Sequence, residues 1–440
     1  MTRTLAPALP DARRCSSQRA SGSKGAASAE KSPASRSAAS RSRVTLQRAA
    51  DGWALLRNGL PYTIHGAGGG ASAATLSEIG GNSLRTWGVE NAAETLAAAR
   101  AHGLTVTLGL WLGQQGYMDY SKDTAALAQQ RTMVTDAAKK FRDDPALLLW
   151  GLGNEMETGG DPGNPALWSE VDRLAQLIKS IDPDHPVMTV VAEVSPAKID
   201  AIKRYAPNVD VLGVNSYGSA PSLPQRLKDY GWDKPYVITE FGPRGQWESP
   251  RTSWGAPYEP TSTAKEPMYR KAWEANVTNA AGRSLGGYAF TWGHKFEGSE
   301  TWFGMFLPGT EEKLGAVDVM QQVFTGKPPA VPAPVMHSLE SDATGSRVQP
   351  ASKHHARVVA TDAAGLPLSY RWEVRGEVAP PGLPDPPVVS GTVPARANRD
   401  EIEWTAPFMP GPYRLYVYVS DGQGKAATAN VPFYVGPPQR

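Results

Sequence analysis

The chain has 440 residues, of which 40% are hydrophobic and 13 are tryptophan, enough for one large domain and a second small one. Its net charge of +2 hides an uneven split: residues 1–43 carry nine Lys or Arg against two acids, and the remainder carries 36 against 41. That slight acidic excess argues against a nucleic-acid partner, and no run approaches the ~20 apolar residues of a membrane span.

Residues 1–43 are rich in Ser, Ala and Arg and contain no aromatic residue, so a disordered tail is expected there. No apolar stretch in it has the length of a secretory signal; its Arg-rich, acid-poor composition fits an organelle transit peptide, a plain disordered extension or a misassigned start. The only cysteine, Cys15, lies in this tail, which leaves the folded part without a disulfide or a thiol nucleophile.

From residue 44 onward short apolar runs alternate with amphipathic stretches. Val44–Ile64 reads as a β-hairpin leading into the main domain, with Arg57-Asn58-Gly59 as its turn. Eight runs follow: Tyr62–Gly66, Asn82–Trp87, Leu104–Trp111, Leu147–Gly153, Val187–Ala192, Val209–Asn215, Tyr236–Phe241 and Gly287–Gly293. Helical patterns lie between them, among them Ala92–His102, Thr124–Phe141, Pro165–Ser180 and Thr263–Ala281. Eight strands alternating with helices predict an α/β fold in which a parallel sheet closes as a (β/α)8 TIM barrel over residues 44–326.

Residues 327–335 are Pro-rich and read as a linker. Beyond it the period changes to two. In Tyr413–Val419 the odd positions make one apolar face, while Arg414, Tyr416 and Tyr418 make the other. Asp421-Gly422-Gln423-Gly424 is a turn before the next strand, Ala426–Val435. Residues 336–440 are therefore expected to form a small all-β, immunoglobulin-like sandwich.

Two glutamates close buried strands, Glu155 after Leu147–Asn154 and Glu240 after Pro235–Thr239, 85 residues apart. A carboxylate at the end of an apolar strand is costly unless it projects into a functional site, and in such a barrel the C-terminal strand ends are where function gathers. Two converging carboxylates are what glycosidic cleavage needs: one protonates the leaving oxygen and the other attacks the anomeric carbon. At the other strand ends stand Arg85, Trp87, Trp111, Asn215, Tyr217 and Trp292. Arg85 and Tyr217 can hold the nucleophile, and Asn154 can meet a sugar hydroxyl. Trp87, Trp111 and Trp292 are either flat platforms for pyranose rings or ordinary barrel packing. Glu157 reads as a solvated loop charge or a helix-cap partner.

Two long loops are expected to shape the groove. Gly242–Thr261 carries Trp247, Glu248, Trp254 and Tyr258, and His294–Thr310 carries His294, Glu297, Trp302 and Phe303. His294 has no second ligand at a metal spacing, and Gly66–Gly70 lacks the pattern of a phosphate loop, so neither a metal nor another cofactor is expected.

Trp150–Glu155 together with Ile238–Gly242 resembles clan A of the retaining β-glycosidases, in particular the barrel domain of glycoside hydrolase family 2, over roughly Ala54 to Val323. The resemblance implies Glu155 as acid/base and Glu240 as nucleophile, with Arg85, Asn154, Tyr217 and Trp292 around them. Departures are visible. Trp111 stands where many relatives offer a histidine, Asn215-Ser216-Tyr217 lacks the histidine common in family 5, and only a tail and a hairpin precede the barrel. Size and paired glutamates are also similar to β-1,3-glucanosyltransferases, and residues 360–374 and 412–435 loosely resemble polycystic-kidney-disease-like modules. A retaining β-glycoside hydrolase acting on a glucan-like saccharide is therefore expected. A glucanosyltransferase using the same glutamates and a non-catalytic carbohydrate-binding protein are the alternatives. The resemblance implies a periplasmic or secreted location although no export signal is visible, and the oligomeric state is open.

Overall fold

In a computed structural model of the chain, residues 41–49, 52–280, 282–379, 385–394 and 397–437 are described. The expected tail, Cys15 included, lies outside them except for its last three residues.

The first three strands, β1 (Val44–Ala49), β2 (Gly52–Arg57) and β3 (Leu60–Pro61), form a small antiparallel sheet. The turn at Asn58-Gly59 joins β2 to β3, so the expected hairpin gains a third strand. The sheet sits across the N-terminal end of the barrel rather than leading into its wall. Val44 N–H donates to Asp184 O, Trp53 N–H to Gly282 O and the Arg57 guanidinium to Pro145 O, all in loops that precede barrel strands. Val44 and Leu55 then join Leu149, Val190, Val237 and Tyr288 in one buried cluster that closes the barrel floor.

The barrel strands are β4 (Ile64–Gly69), β5 (Ser83–Arg85), β6 (Thr105–Leu110), β7 (Leu147–Leu152), β8 (Val187–Ala192), β9 (Val211–Asn215), β10 (Tyr236–Phe241) and β11 (Ser284–Trp292). They pair in chain order and all in parallel, and β11 returns to β4, which closes the barrel. The helices outside are α1 (Ala73–Glu78), α2 (Ala92–Ala101), α3 (Thr124–Phe141), α4 (Pro165–Ile181), α5 (Pro196–Tyr205), α6 (Leu223–Asp229), α7 (Ser262–Trp273) and α8 (Gly315–Thr325). Their starts are written in the sequence: Asn164 caps α4 by accepting from Ala166 N–H, and Ser195 caps α5, each with proline at the first helical position. The long helix expected over 263–281 ends at Trp273 and passes into a π-helical turn, Glu274–Thr278.

After α8 the chain forms β12 (Val335–Ser341), β13 (Arg347–Val348), β14 (Lys353–Thr361), β15 (Ser369–Gly376), β16 (Glu401–Thr405), β17 (Gly411–Ser420) and β18 (Ala426–Val435). A three-stranded sheet, β12-β14-β16, faces a four-stranded one, β13-β18-β17-β15, around a core containing Trp372, Trp404, Leu415, Val417 and Phe433. The fold is thus a TIM barrel followed by an all-β sandwich. The second face of β17 is not left to solvent: Arg414, Tyr416 and Tyr418 are all buried, the first two hydrogen-bonded to the barrel and Tyr418 clustered with Leu307 and Leu314.

Candidate active site

Glu240, near the end of β10, is gripped from three sides. Arg85 Nη1 donates to its Oε1 at 2.9 Å, Trp87 Nε1 donates to the same oxygen at 2.8 Å, and Tyr217 Oη donates to Oε2 at 2.7 Å. Arg85 comes from the end of β5, Trp87 lies two residues beyond it, and Tyr217 follows β9. Arg85 is itself fixed, since Nη1 also reaches Thr239 O at 2.9 Å and Nη2 reaches Asn154 Oδ1 at 2.7 Å. Trp87 can reach in because β6 comes close to the chain just before it. A Cβ on Gly109 would lie 2.3 Å from Thr86 O and 2.5 Å from backbone atoms of Trp87.

Glu155 is placed by a tight turn after β7. Gly153 has φ +72° and Glu155 itself φ +51°, while Glu155 N–H donates to Val190 O across β8. The positive φ at Gly153 favours glycine there, and the Met156 side chain packs into the space a Cβ would take. Among the described residues one donor meets this carboxyl group: Asn215 Nδ2 at 2.6 Å from Oε1. Burial, then the charge of Glu240, push its pKa up to about 7; Asn215 and Arg85 oppose the shift, and Glu157 adds to it. The two carboxyl groups therefore live in unlike settings. Asn154 links them, accepting from both Arg85 and Asn215.

Glu157 departs from its expectation as a solvated charge. It is buried in an ion pair with Lys198 Nζ at 2.7 Å, and its Oε1 also accepts from Ala192 N–H at 2.9 Å. The reason is tertiary: Gln115 N–H and Gly116 N–H bond Met156 O and Thr158 O, which folds the segment after Glu155 inward instead of out to solvent.

Among the aromatic candidates the outcomes differ. Trp292 is 0% exposed, donates Nε1 to Ser72 O and meets Phe306 edge-on, so it belongs to the layer between barrel and helices. An irregularity in the β11–β4 register between Phe290 and Trp292 breaks the two-residue alternation that would have aimed Trp292 at the glutamates. Phe290 takes that place, edge-on to both Trp87 and Tyr217. Nothing in its spacing distinguished it from Trp292. Trp247 is 57% exposed and lies edge-on to Tyr217, and Trp111 is 38% exposed at the end of β6. The two loops divide their aromatics. Trp302 and Phe303 are buried beside Tyr217 and Phe290, whereas Trp254 packs on Tyr434 of the sandwich.

Glu193, unremarked in the sequence, also has φ +53° and stands after β8, with its carboxylate accepting from Ser216, Ser219 and Arg226. No cluster of three His, Cys, Asp or Glu side chains suited to a metal occurs among the described residues. No helix among them is long and apolar enough to cross a membrane.

The geometry coincides with a family match. Residues 75–281 match the TIM-barrel domain of glycosyl hydrolases family 2. Curated relatives of this barrel include mannan endo-1,4-beta-mannosidase 7 of Oryza sativa subsp. japonica, 31% identical over 107 residues, 20% of this chain and 28% of that protein. A beta-glucuronidase of Paenibacillus borealis is 27% identical over 188 residues, 38% of this chain and 30% of its own. The chain thus spans less than a third of the length of these two relatives. Among solved structures, the GH2 beta-galacturonidase of Eisenbergiella tayi superposes with a TM-score of 0.51 at 17% identity, over 65% of this chain and 54% of that one. At that identity the likeness speaks for the fold.

Proposed function

We propose that this protein is a retaining β-glycoside hydrolase that works by double displacement on a glucan-like oligosaccharide or polysaccharide. The observation that carries the reading is the unequal treatment of the two glutamates. Three donors, one of them the Arg85 guanidinium, converge on Glu240, which suits a carboxylate that attacks. Glu155 has one neutral donor and a pKa near 7, which suits a carboxylic acid that donates a proton at neutral pH.

In the first step a Glu240 oxygen attacks the anomeric carbon, the glycosidic C–O bond breaks, and the Glu155 proton passes to the leaving oxygen. The product is a glycosyl ester on Glu240. In the second step Glu155, now a carboxylate, takes a proton from water, whose oxygen attacks the anomeric carbon and frees Glu240. Arg85, Trp87 and Tyr217 hold the nucleophile in place through both steps, Asn154 can meet a sugar hydroxyl, Asn215 donates to Glu155, and Trp247 and Trp111 offer flat faces to the rings beyond. The substrates printed for the relatives, mannans and glucuronides, belong in the test beside the glucans.

Wild type and Glu240→Gln are incubated with β-1,2-, β-1,3-, β-1,4- and β-1,6-glucan oligosaccharides, β-1,4-mannan and an aryl β-glucuronide. Shortened products from wild type, reduced more than about a thousandfold in the variant, are expected. Proton NMR of the nascent product should show retained β configuration; inversion would overturn the double displacement. Turnover that survives Glu240→Gln, or none on the whole panel, would overturn the assignment. Products longer than the donor would mean that a sugar hydroxyl replaces water in the second step.

A further inference from the structure

We infer that the C-terminal sandwich is a working wall of the catalytic cleft, in which Asn430 of β18 is a positioning residue that holds both long loops in place over Glu240.

The contact is a buried polar cluster shared by the two parts of the fold. From the barrel come Glu259, at the end of the loop after β10, Lys265 of α7, and Ser299 and Thr301 of the loop after β11. From the sandwich come Asn430 and Arg414. Lys265 Nζ reaches Glu259 Oε1 at 2.5 Å and Thr301 O at 2.8 Å. Asn430 Nδ2 donates to Glu259 Oε2 at 2.6 Å and to Thr301 Oγ1 at 3.3 Å, adding a carboxamide bridge from the sandwich to the direct bonds that Thr301 Oγ1, at 2.9 Å, and Ser299 Oγ donate to Glu259. Its Oδ1 in turn accepts from Arg414 Nη1 at 2.7 Å, and Arg414 Nη2 reaches Pro257 O at 2.5 Å. All six side chains are buried.

Burying a carboxylate, an ammonium and a guanidinium together is costly unless each is matched. A sandwich that swung away as a tethered module would leave Glu259 and Thr301 without the Asn430 amide and would strip Pro257 O of its donor. The line from this cluster to the chemistry is short. Thr301 is followed by Trp302, whose Nε1 donates to Arg244 O at 3.0 Å and so ties one loop to the other. The next residue, Phe303, lies 5.0 Å from Tyr217 between ring centroids and 6.3 Å from Trp247. Tyr217 is the residue whose hydroxyl meets Glu240. An ordinary spacer domain has no reason to place a buried carboxamide at the root of both cleft loops.

The test compares wild type with Asn430→Ala, Thr301→Val and the conservative Thr301→Ser in the full chain. Hydrogen–deuterium exchange is read by mass spectrometry at a temperature where circular dichroism shows every variant folded. Asn430→Ala and Thr301→Val should exchange at least tenfold faster over 242–261 and 294–303, and in the segment carrying Tyr217, while β6 to β8 remain as in wild type. Thr301→Ser should match wild type. On the substrate found for the wild type, kcat/KM should fall at least tenfold in the first two variants and be restored in Thr301→Ser. Faster exchange confined to the sandwich, or a lowered melting temperature with unchanged kcat/KM, would reduce the cluster to a stabilising contact and overturn the inference. The kinetic arm rests on the glycosidase reading. The exchange arm does not: a wild type inactive on every glycoside would defeat that reading, and the loop protection would still decide this one.

Discussion

At the scale of single residues, the site turns on how differently two chemically identical side chains are surrounded. In the proposed mechanism Glu155 acts while protonated, and burial, then the charge of Glu240, push its pKa up to about 7. The first-step rate should therefore hold on the acidic side and fall as pH rises through about 7. A kcat/KM profile on an alkyl glycoside, whose leaving group needs the proton, should show that alkaline limb. The same profile for Glu155→Gln on an activated aryl glycoside should lack it; an unchanged limb would assign the titration to another group. Tyr217→Phe removes one charge-assisted hydrogen bond from Glu240 while keeping the ring. A loss of about 1.5–3 kcal/mol is expected, which is roughly ten- to a hundredfold in kcat/KM. Both glutamates, Arg85, Trp87, Asn154, Asn215 and Tyr217 were legible as one constellation because each ends or closely follows an apolar strand run. Trp292 misled for the same reason. Strand alternation assigns a side by counting in twos, and a register irregularity next to the residue defeats the count.

At the scale of elements, the barrel was readable because a parallel strand buried on both faces is written as an uninterrupted apolar run. Val187–Ala192 and Tyr236–Phe241 have in the structure the limits their sequences suggest. Other ends moved: β11 begins three residues before the expected Gly287, and β4 ends three residues beyond the expected Gly66. The run Asn82–Trp87 shortens to Ser83–Arg85, and the chain beyond turns so that Trp87 faces Glu240. Glu157 shows what local reading misses altogether. Its partner Lys198 is 41 residues away on α5, and no spacing rule links them. Lys198 Nζ also donates to Ala192 O and Glu193 O, so it binds the end of β8 to the turn that carries Glu155. Lys198→Met would leave Glu157 buried without its cation, and removal of one partner of such a pair costs about 3–5 kcal/mol. Urea unfolding should show that loss as a lower midpoint at similar slope; a change within about 0.5 kcal/mol, the range of an ordinary surface substitution, would mean that the pair adds nothing to stability.

At the scale of the whole molecule, the alternation in β17 correctly separated Leu415, Val417 and Val419 from Arg414, Tyr416 and Tyr418, but no pattern within a strand can say what covers its second face. The barrel covers it. Tyr416 Oη accepts from Glu300 N–H, Thr428 N–H donates to Ser262 Oγ, and Lys425 pairs with Asp318 of α8. With so much charge and backbone satisfied across the boundary, the two parts should melt together. Calorimetry should record one transition, with a calorimetric enthalpy equal to the van't Hoff value; two resolved transitions would show that the boundary is weak. The sheet beneath the barrel carries a different consequence, one of timing. Strands β1 to β3 leave the ribosome ahead of the barrel, yet the carbonyls they bind belong to residues as late as Gly282. Some 220 residues of synthesis, roughly 10–45 s at ordinary rates, separate the sheet from the last acceptor it needs. For that interval Val44, Leu55 and Trp53 have no finished surface to cover. A sheet made before the barrel is thus completed after most of it, and it seals the ring from below only once the eighth strand has arrived.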